Sequence, residues 1–154
     1  MFALFTRFFD CIHGSLARYK LKISLLNRCN AFVHMNQPPD SPINLEQLNQ
    51  ISEGDVEFEI EVLQVYVEDI SQRLNKIRDQ IVSNDWSQIM GEAHHLKGSS
   101  SNVGAFQIQI LALQLEELNH SQDSGKALEI IAEMFLKLKA VELFITEKIA
   151  TLSS

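Results

Sequence analysis

The sequence contains little cysteine, proline or glycine. Cys11 and Cys29 are its two cysteines, and they form no Cys-x-x-Cys pair. Because both lie in the first 34 residues, the rest of the chain has neither a disulfide framework nor a cysteine-bound metal, which is typical of a cytoplasmic protein. Three prolines and six glycines in 154 residues exclude a fibrous or low-complexity protein, and 45% hydrophobic residues predict one compact domain.

Long apolar runs are also absent. No segment approaches the ~20 consecutive apolar residues that span a bilayer. A cleavable signal peptide matches poorly, because Arg7 and Asp10 interrupt what would be its apolar centre. The sequence therefore predicts neither a membrane-spanning helix nor a secretion signal.

Basic residues are scarce and concentrated in residues 1–34. Five lysines and arginines against Asp10 give this segment a net charge of +4, so that the remaining chain carries −11 of the total of −7. Affinity for DNA or RNA comes mostly from lysine and arginine neutralising the phosphates, and an acidic domain repels them. Nucleic-acid binding by the main domain is excluded on this ground.

Residues 1–34 form a basic extension with a loosely amphipathic pattern. Three interpretations are open: a helix lying on a membrane surface, a partner-binding extension, or upstream sequence outside the working protein. We favour the last, because Met35 begins a more ordinary amino terminus. Residues 35–42 include three prolines and are interpreted as a linker, since proline removes an amide donor and restricts the preceding residue.

Residues 43–154 predict only helices. A short helix is expected over 43–51, followed by a long helix that Asp55 would cap and by helices over 85–102, 105–118 and 126 to about 152. The long helix has an apolar stripe, and glutamates such as Glu59 face away from it or flank it; the stripe comprises Phe58, Val62, Tyr66, Ile70, Leu74, Ile77 and Ile81. Short connections between long amphipathic helices predict an all-α, antiparallel up-down four-helix bundle with a short extra N-terminal helix.

The helix over 85–102 carries the candidate site. Its core stripe passes through Ile89, Ala93 and Leu96, and His94 lies one residue off that stripe. This position holds the imidazole at the edge of the bundle with an outer nitrogen facing water. His95 projects about 100° away around the helix, so we assign it no role.

The neighbours of His94 favour a phosphate-binding environment. Gly91 and Gly98 flank it one turn away on each side, and each costs roughly 0.5 to 1 kcal/mol relative to alanine inside a helix. Clearance for an approaching protein is the compensating reason that we propose. Lys97 supplies a positive charge that can reach phosphoryl oxygens on the ring, and the Ser101 hydroxyl is a secondary candidate to assist it.

Residues 94–105 read His-His-Leu-Lys-Gly-Ser-Ser-Ser-Asn-Val-Gly-Ala. This run resembles the signature of the histidine-containing phosphotransfer (HPt) family, in which a histidine is followed by x-Leu-Lys-Gly-Ser-Ser and then by a Gly-Ala pair. The resemblance extends over about 120 residues, from Met35 onwards. It includes residues 84–86 at the helix entry, residues 66–69 in the preceding helix and Leu115-Glu116 in the following one.

The resemblance implies a phosphorelay carrier. His94 would accept a phosphoryl group from an aspartate of one receiver domain and pass it to another, with Lys97 contacting the phosphate and Gly98 leaving room for docking. The implied partners are the receiver domains of a hybrid histidine kinase and of a response regulator, and the receiver would bring the Mg²⁺. We expect a monomer with no cofactor or metal site of its own.

Two other functions compete with the phosphorelay carrier: an enzyme and an inactive adaptor. The chain has no glycine-rich nucleotide loop, so we expect a co-substrate rather than an enzyme. A helical adaptor that keeps the fold but has lost phosphotransfer is the competing function, and its mark would be a damaged signature. Lys97 and both glycines are intact, which favours the active carrier.

Overall fold

The computed structural model describes residues 41–152. Within this range the chain forms five helices: α1 (Leu45–Ser52), α2 (Val56–Val82), α3 (Trp86–Val103), α4 (Phe106–Glu117) and α5 (Ser124–Leu152). These described residues form a single compact unit. The predictions for residues 1–34 and for most of the 35–42 linker lie outside the described residues, and the predicted domain boundaries therefore stay predictions.

The four long helices surround one apolar core. Each packs against the next along the chain, and α5 closes the ring against α2, while α1 covers one end of α2 and α3. This arrangement confirms the predicted all-α, antiparallel up-down four-helix bundle with a short extra N-terminal helix. In the part of the chain that the structure describes, no helix is both long and apolar enough to cross a membrane.

Side-chain caps fix where the first three helices begin. Asn44, Asp55 and Asp85 each accept a hydrogen bond from the backbone amide three residues further on, which satisfies a donor that the helix itself leaves free. The cap predicted at Asp55 is confirmed. Helix α1 begins at Leu45, later than predicted, because Asn44 serves as its cap and Ile43 is fully buried ahead of it.

Helix α5 begins earlier than predicted. Ser124 is its first residue, because Asp123 accepts a hydrogen bond from the amide of Lys126 at 2.9 Å and so starts the helix before Gly125. The inward face of α5 is as predicted from its 3.6-residue period. All five predicted core residues are buried: Ile130, Met134, Leu138, Val141 and Ile145.

The predicted apolar stripe of α2 is correct from residue 66 onwards, and before it Val62 packs against the core while only partly buried. Phe58 and Val62 are half-buried, whereas Ile60 and Leu63 lie in the core. Glu59, predicted to face away from the stripe or to flank it, is also buried. Ile60 and Leu63 thus continue the core-facing stripe of α2 towards its N-terminus at helical spacing.

Glu59 is buried beside this stripe and has partners on two other helices. Its carboxylate accepts hydrogen bonds from Lys148 Nζ at 2.5 Å and from Ser52 Oγ at 2.9 Å. These contacts join α1, α2 and α5, and they satisfy a charge whose burial would otherwise be costly. The position was missed because Lys148 lies 89 residues away in the sequence.

A second carboxylate joins α2 to α3. Glu92 is buried, and it accepts hydrogen bonds from Arg73 Nη1 at 2.7 Å and from Lys76 Nζ. Burial raises the pKa of the Glu92 carboxyl, but the hydrogen bonds from Lys76 and Arg73 outweigh it, and the pKa lies below its ordinary value. Asp69 holds Arg73 in place from the same helix.

We expect Glu92→Gln to destabilise the bundle in a pH-dependent way. Near pH 7 it should lower the free energy of unfolding by about 1 to 2 kcal/mol, because a neutral amide replaces a carboxylate that receives two charged donors. Since the folded-state pKa of Glu92 is depressed, its contribution is present above the unfolded-state pKa of about 4.3 and is lost as pH falls through the folded-state value.

Urea unfolding of both proteins at about pH 7 and about pH 3.5 measures this linkage. The difference in free energy of unfolding between wild type and Glu92→Gln should be smaller at the lower pH. Glu129→Gln, which removes a carboxylate from an exposed ion pair, serves as the control and should have little effect at either pH. The prediction would be contradicted if the free energies of unfolding of wild type and Glu92→Gln differed by the same amount at both pH values.

Candidate functional site

His94 lies on the outer side of α3 at the edge facing α4. Its side chain is 59% exposed, while Ala93 and Leu96 on either side of it are fully buried. The buried neighbours fix the backbone, so the imidazole is mounted on a rigid helix and still reaches solvent. This is the position that the helical wheel predicts.

The Nδ1 edge of the His94 ring contacts α4. His94 Nδ1 lies 3.0 Å from Glu116 Oε1. An ionised carboxylate accepts hydrogen bonds and donates none, and a neutral imidazole carries one N–H. The contact therefore favours a proton on Nδ1, which leaves the lone pair on Nε2, the nitrogen on the other side of the ring.

Lys97 is held beside the ring by the same carboxylate. Its Nζ donates to Glu116 Oε2 at 2.5 Å, and its side chain is 25% exposed. The sequence predicts a mobile charge at this position, but the ammonium is tethered between α3 and α4. Because helical side chains lean towards the N-terminus of their helix, Lys97 reaches back over the turn that contains His94.

Glu116 is the site residue that the sequence-based prediction missed. It lies on α4, 22 residues after His94, and no helical spacing on α3 points to it. The Leu115-Glu116 pair belonged to the resemblance, but no role followed from it. Leu115 is fully buried, and this anchors the adjacent Glu116 at the groove between the two helices.

Gly91 and Gly98 are exposed, and neither is required by packing within the chain. A Cβ atom built at either position meets nothing within 4 Å, apart from the helix's own backbone. Both glycines therefore cost helix stability without relieving an internal clash. Open space on both sides of His94 is what the docking-clearance hypothesis requires.

Other residues of the signature serve the fold. Ser100 is fully buried, and its hydroxyl lies 2.8 Å from the hydroxyl of Tyr66 on α2. Burial raises the pKa of the Tyr66 phenol, with the Ser100 hydrogen bond opposing it. This pair ties α2 to α3 in the core and does not face the His94 surface.

Gly104 is required by geometry. Its φ of +78° ends α3 in the left-handed region, and a Cβ there would come within 3.0 Å of the Asn44 backbone oxygen. Its carbonyl also accepts a hydrogen bond from the Asn44 amide at 2.9 Å. The predicted turn at Gly104 is confirmed, and it docks α1 against the end of α3.

The remaining polar residues near the signature are not brought to the imidazole. His95 is exposed, and Ser99 donates to the carbonyl of His95 on its own helix. Ser101 is half-buried and lies two turns, roughly 10 Å along the axis, beyond His94. Its assisting role stays a prediction. Among residues 41–152, no group of three or more histidine, cysteine or acidic side chains is arranged to hold a metal.

Comparison with known proteins places the chain in a family. The family model of the Hpt domain matches residues 61–143. The chain is 27% identical over 93 residues to histidine-containing phosphotransfer protein 2 of Arabidopsis thaliana, and 29% identical over 104 residues to protein 5 of the same plant. These alignments cover 58% and 62% of this chain but 60% and 66% of the two relatives, so the chain spans somewhat less than two thirds of either protein.

A solved structure gives the same fold. The crystal structure of histidine-containing phosphotransfer protein B (HptB) from Pseudomonas aeruginosa PAO1 superposes with a TM-score of 0.64, covering 71% of this chain and 95% of that one at 22% identity. At this identity the likeness concerns the bundle alone. The family match covers more than half of the chain, from α2 to α5, and includes His94 and Lys97. The chain belongs to the Hpt domain family.

Proposed function

We propose that this protein is a phosphorelay intermediate that carries a phosphoryl group on His94. The observation that carries the proposal is the orientation of the imidazole: Glu116 engages Nδ1, and the exposed ring offers Nε2 to a partner beside the ammonium of Lys97. Membership of the Hpt family and the phosphotransfer names of the plant relatives support it.

The proposed reaction transfers a phosphoryl group between two proteins. The Nε2 lone pair attacks phosphorus on a receiver-domain aspartyl phosphate, the P–O bond to the aspartate breaks, and the carboxylate leaves. In the second step an aspartate of another receiver attacks, and the electron pair of the N–P bond returns to Nε2. Such transfers need alignment and charge stabilisation more than covalent assistance, which a rigid helix and one lysine supply.

The partner supplies what this chain does not offer. The receiver domains of a hybrid histidine kinase and a response regulator are the proposed donor and recipient, and the Mg²⁺ required for aspartyl phosphate chemistry comes with them. Gly91 and Gly98 leave the surface beside His94 open to their approach. The chain thus acts as a co-substrate rather than as an enzyme.

Phosphotransfer from a phosphorylated receiver domain tests the proposal. A receiver labelled on its aspartate is mixed with the full chain and Mg²⁺, and label on the chain is followed over time. Transfer to the chain, and then to a second receiver, is the expected result. Stable complex formation without transfer would reject the carrier and support the phosphotransfer-inactive adaptor.

Lys97→Ala should slow transfer without unfolding the bundle. Removing one preorganised charge beside a reacting phosphoryl group costs about 100-fold in buried sites, and the partial exposure of Lys97 reduces this to about 10-fold through solvent screening. Rapid-quench transfer kinetics measure the effect, and circular dichroism confirms the fold. Lys139→Ala, which removes an exposed lysine side chain from α5, is the control. Equal rates for Lys97→Ala and wild type would remove Lys97 from the site.

A further inference from the structure

Glu116 occupies the point where α3 and α4 meet beside the ring. Its side chain is 21% exposed, and each of its two carboxylate oxygens has one partner: Oε1 contacts His94 Nδ1, and Oε2 accepts from Lys97. One carboxylate therefore contacts both of the side chains to which the proposed transfer assigns chemistry. A surface glutamate placed only for solubility would not need both contacts.

We infer that Glu116 is a positioning residue for phosphotransfer, one that fixes the reactive tautomer of His94 and balances the charge that the ring acquires. The inference rests on the proposed function. Its first element is the tautomer: with Oε1 as acceptor, the imidazole proton resides on Nδ1, and the lone pair resides on Nε2. The opposite tautomer would point a lone pair at a carboxylate and leave Nε2 unable to attack.

The second element is charge. When Nε2 bonds to phosphorus while Nδ1 keeps its proton, the ring becomes positively charged. Glu116 Oε1, at 3.0 Å, stabilises this cation in place, as the aspartate behind the histidine of a Ser-His-Asp triad stabilises the imidazolium that forms there. When the N–P bond breaks, the electron pair returns to Nε2 and Nδ1 still carries its proton. No proton has to enter or leave the site in either direction.

The third element is the position of Lys97. The contact with Glu116 Oε2 restrains its flexible side chain next to the ring before a partner arrives, which lowers the entropy that ordering a lysine otherwise costs. An ammonium has three donors. Lys97 can therefore keep Glu116 while it donates to a phosphoryl oxygen.

Glu116→Gln is the sharpest test, because it changes charge and hydrogen bonding with little change of shape. A carboxamide has one acceptor oxygen for the two donors, Lys97 Nζ and His94 Nδ1–H, so one of them loses its partner. If the amide oxygen turns to Lys97, its NH₂ group faces Nδ1 and favours the opposite tautomer. Glu117→Gln, at the adjacent exposed position, is the matched control.

Nitrogen chemical shifts of ¹⁵N-labelled imidazoles report the tautomer in the unphosphorylated full chain. Near pH 8.5 an ordinary histidine is neutral, and we expect wild type and Glu117→Gln to show Nδ1–H at His94. Glu116→Gln should shift the population towards Nε2–H and slow transfer about 10-fold or more. His95 in the same samples provides an internal reference.

The outcomes separate the two proposals. An unchanged His94 tautomer in Glu116→Gln, or unchanged transfer despite a shifted tautomer, would overturn the positioning role of Glu116. Failure of wild type to accept label would instead overturn the proposed function, because the tautomer is measured without any receiver. Circular dichroism of each variant shows that the bundle is folded when the comparison is made.

Discussion

Replacement of His94 by glutamine is expected to reduce phosphoryl labelling of this protein to background. Glutamine keeps a polar side chain of similar length but has no nucleophilic nitrogen at neutral pH, so no N–P bond forms. Because the His94 side chain is 59% exposed and its neighbours Ala93 and Leu96 supply the core contacts of this turn, the fold should be unaffected. The label on wild type should be lost in acid, as expected of a phosphoramidate bond.

His95→Gln is the matched control for this experiment. The two histidines are adjacent and both exposed, but they project about 100° apart around α3. Glu116 and Lys97 lie on the His94 side. We therefore expect His95→Gln to accept label at close to the wild-type rate. If label persists in His94→Gln and disappears in His95→Gln, the phosphoryl group is carried by His95, and the assignment to His94 is wrong.

Much of the bundle can be predicted from local patterns. The cap at Asp55, the turn at Gly104 and the inward face of α5 each depend on a few neighbouring residues, and each is confirmed. A capping side chain acts on an amide three residues away, and a helical stripe repeats every three or four residues. A short stretch of sequence therefore contains all the residues that determine a cap or an apolar stripe.

The environments of two carboxylates cannot be predicted from local sequence patterns. Glu59 is buried because Lys148, 89 residues away, neutralises it, and hydrophobicity alone assigns it to the surface. Glu116 contacts His94 from another helix, so no spacing on α3 predicts it. In both cases the partner becomes a neighbour only when the helices pack, and the physical cause is absent from either segment taken alone.

The signature itself divides into two sets once the packing is known. Ser100 and Gly104 are buried and serve the contacts of α3 with α2 and α1. His94, Lys97 and Gly98 lie on the outer side. A pattern in one dimension does not distinguish these sets, and only the second set is a candidate for chemistry.

Gly98→Leu should preserve the bundle and still slow phosphotransfer about 100-fold, since small displacements of reacting groups have effects of this size. A Cβ at this position has open space around it, so leucine causes no internal clash. Replacing a helical glycine should even raise stability by about 0.5 to 1 kcal/mol. A side chain on residue 98 leans towards the preceding turn, which places the leucine over the surface beside His94 where a receiver would dock.

Thermal unfolding and transfer kinetics on the same samples separate stability from docking. Ala132→Leu, which also places a leucine at an exposed position but on α5, is the control, because α5 packs against α2 and α4 rather than forming the surface beside His94. For Gly98→Leu we expect a higher midpoint temperature of unfolding together with slower phosphotransfer. If transfer from the receiver stays at the wild-type rate while the protein is folded, partner clearance is not the reason for glycine at position 98. The open space beside His94 would then need another explanation.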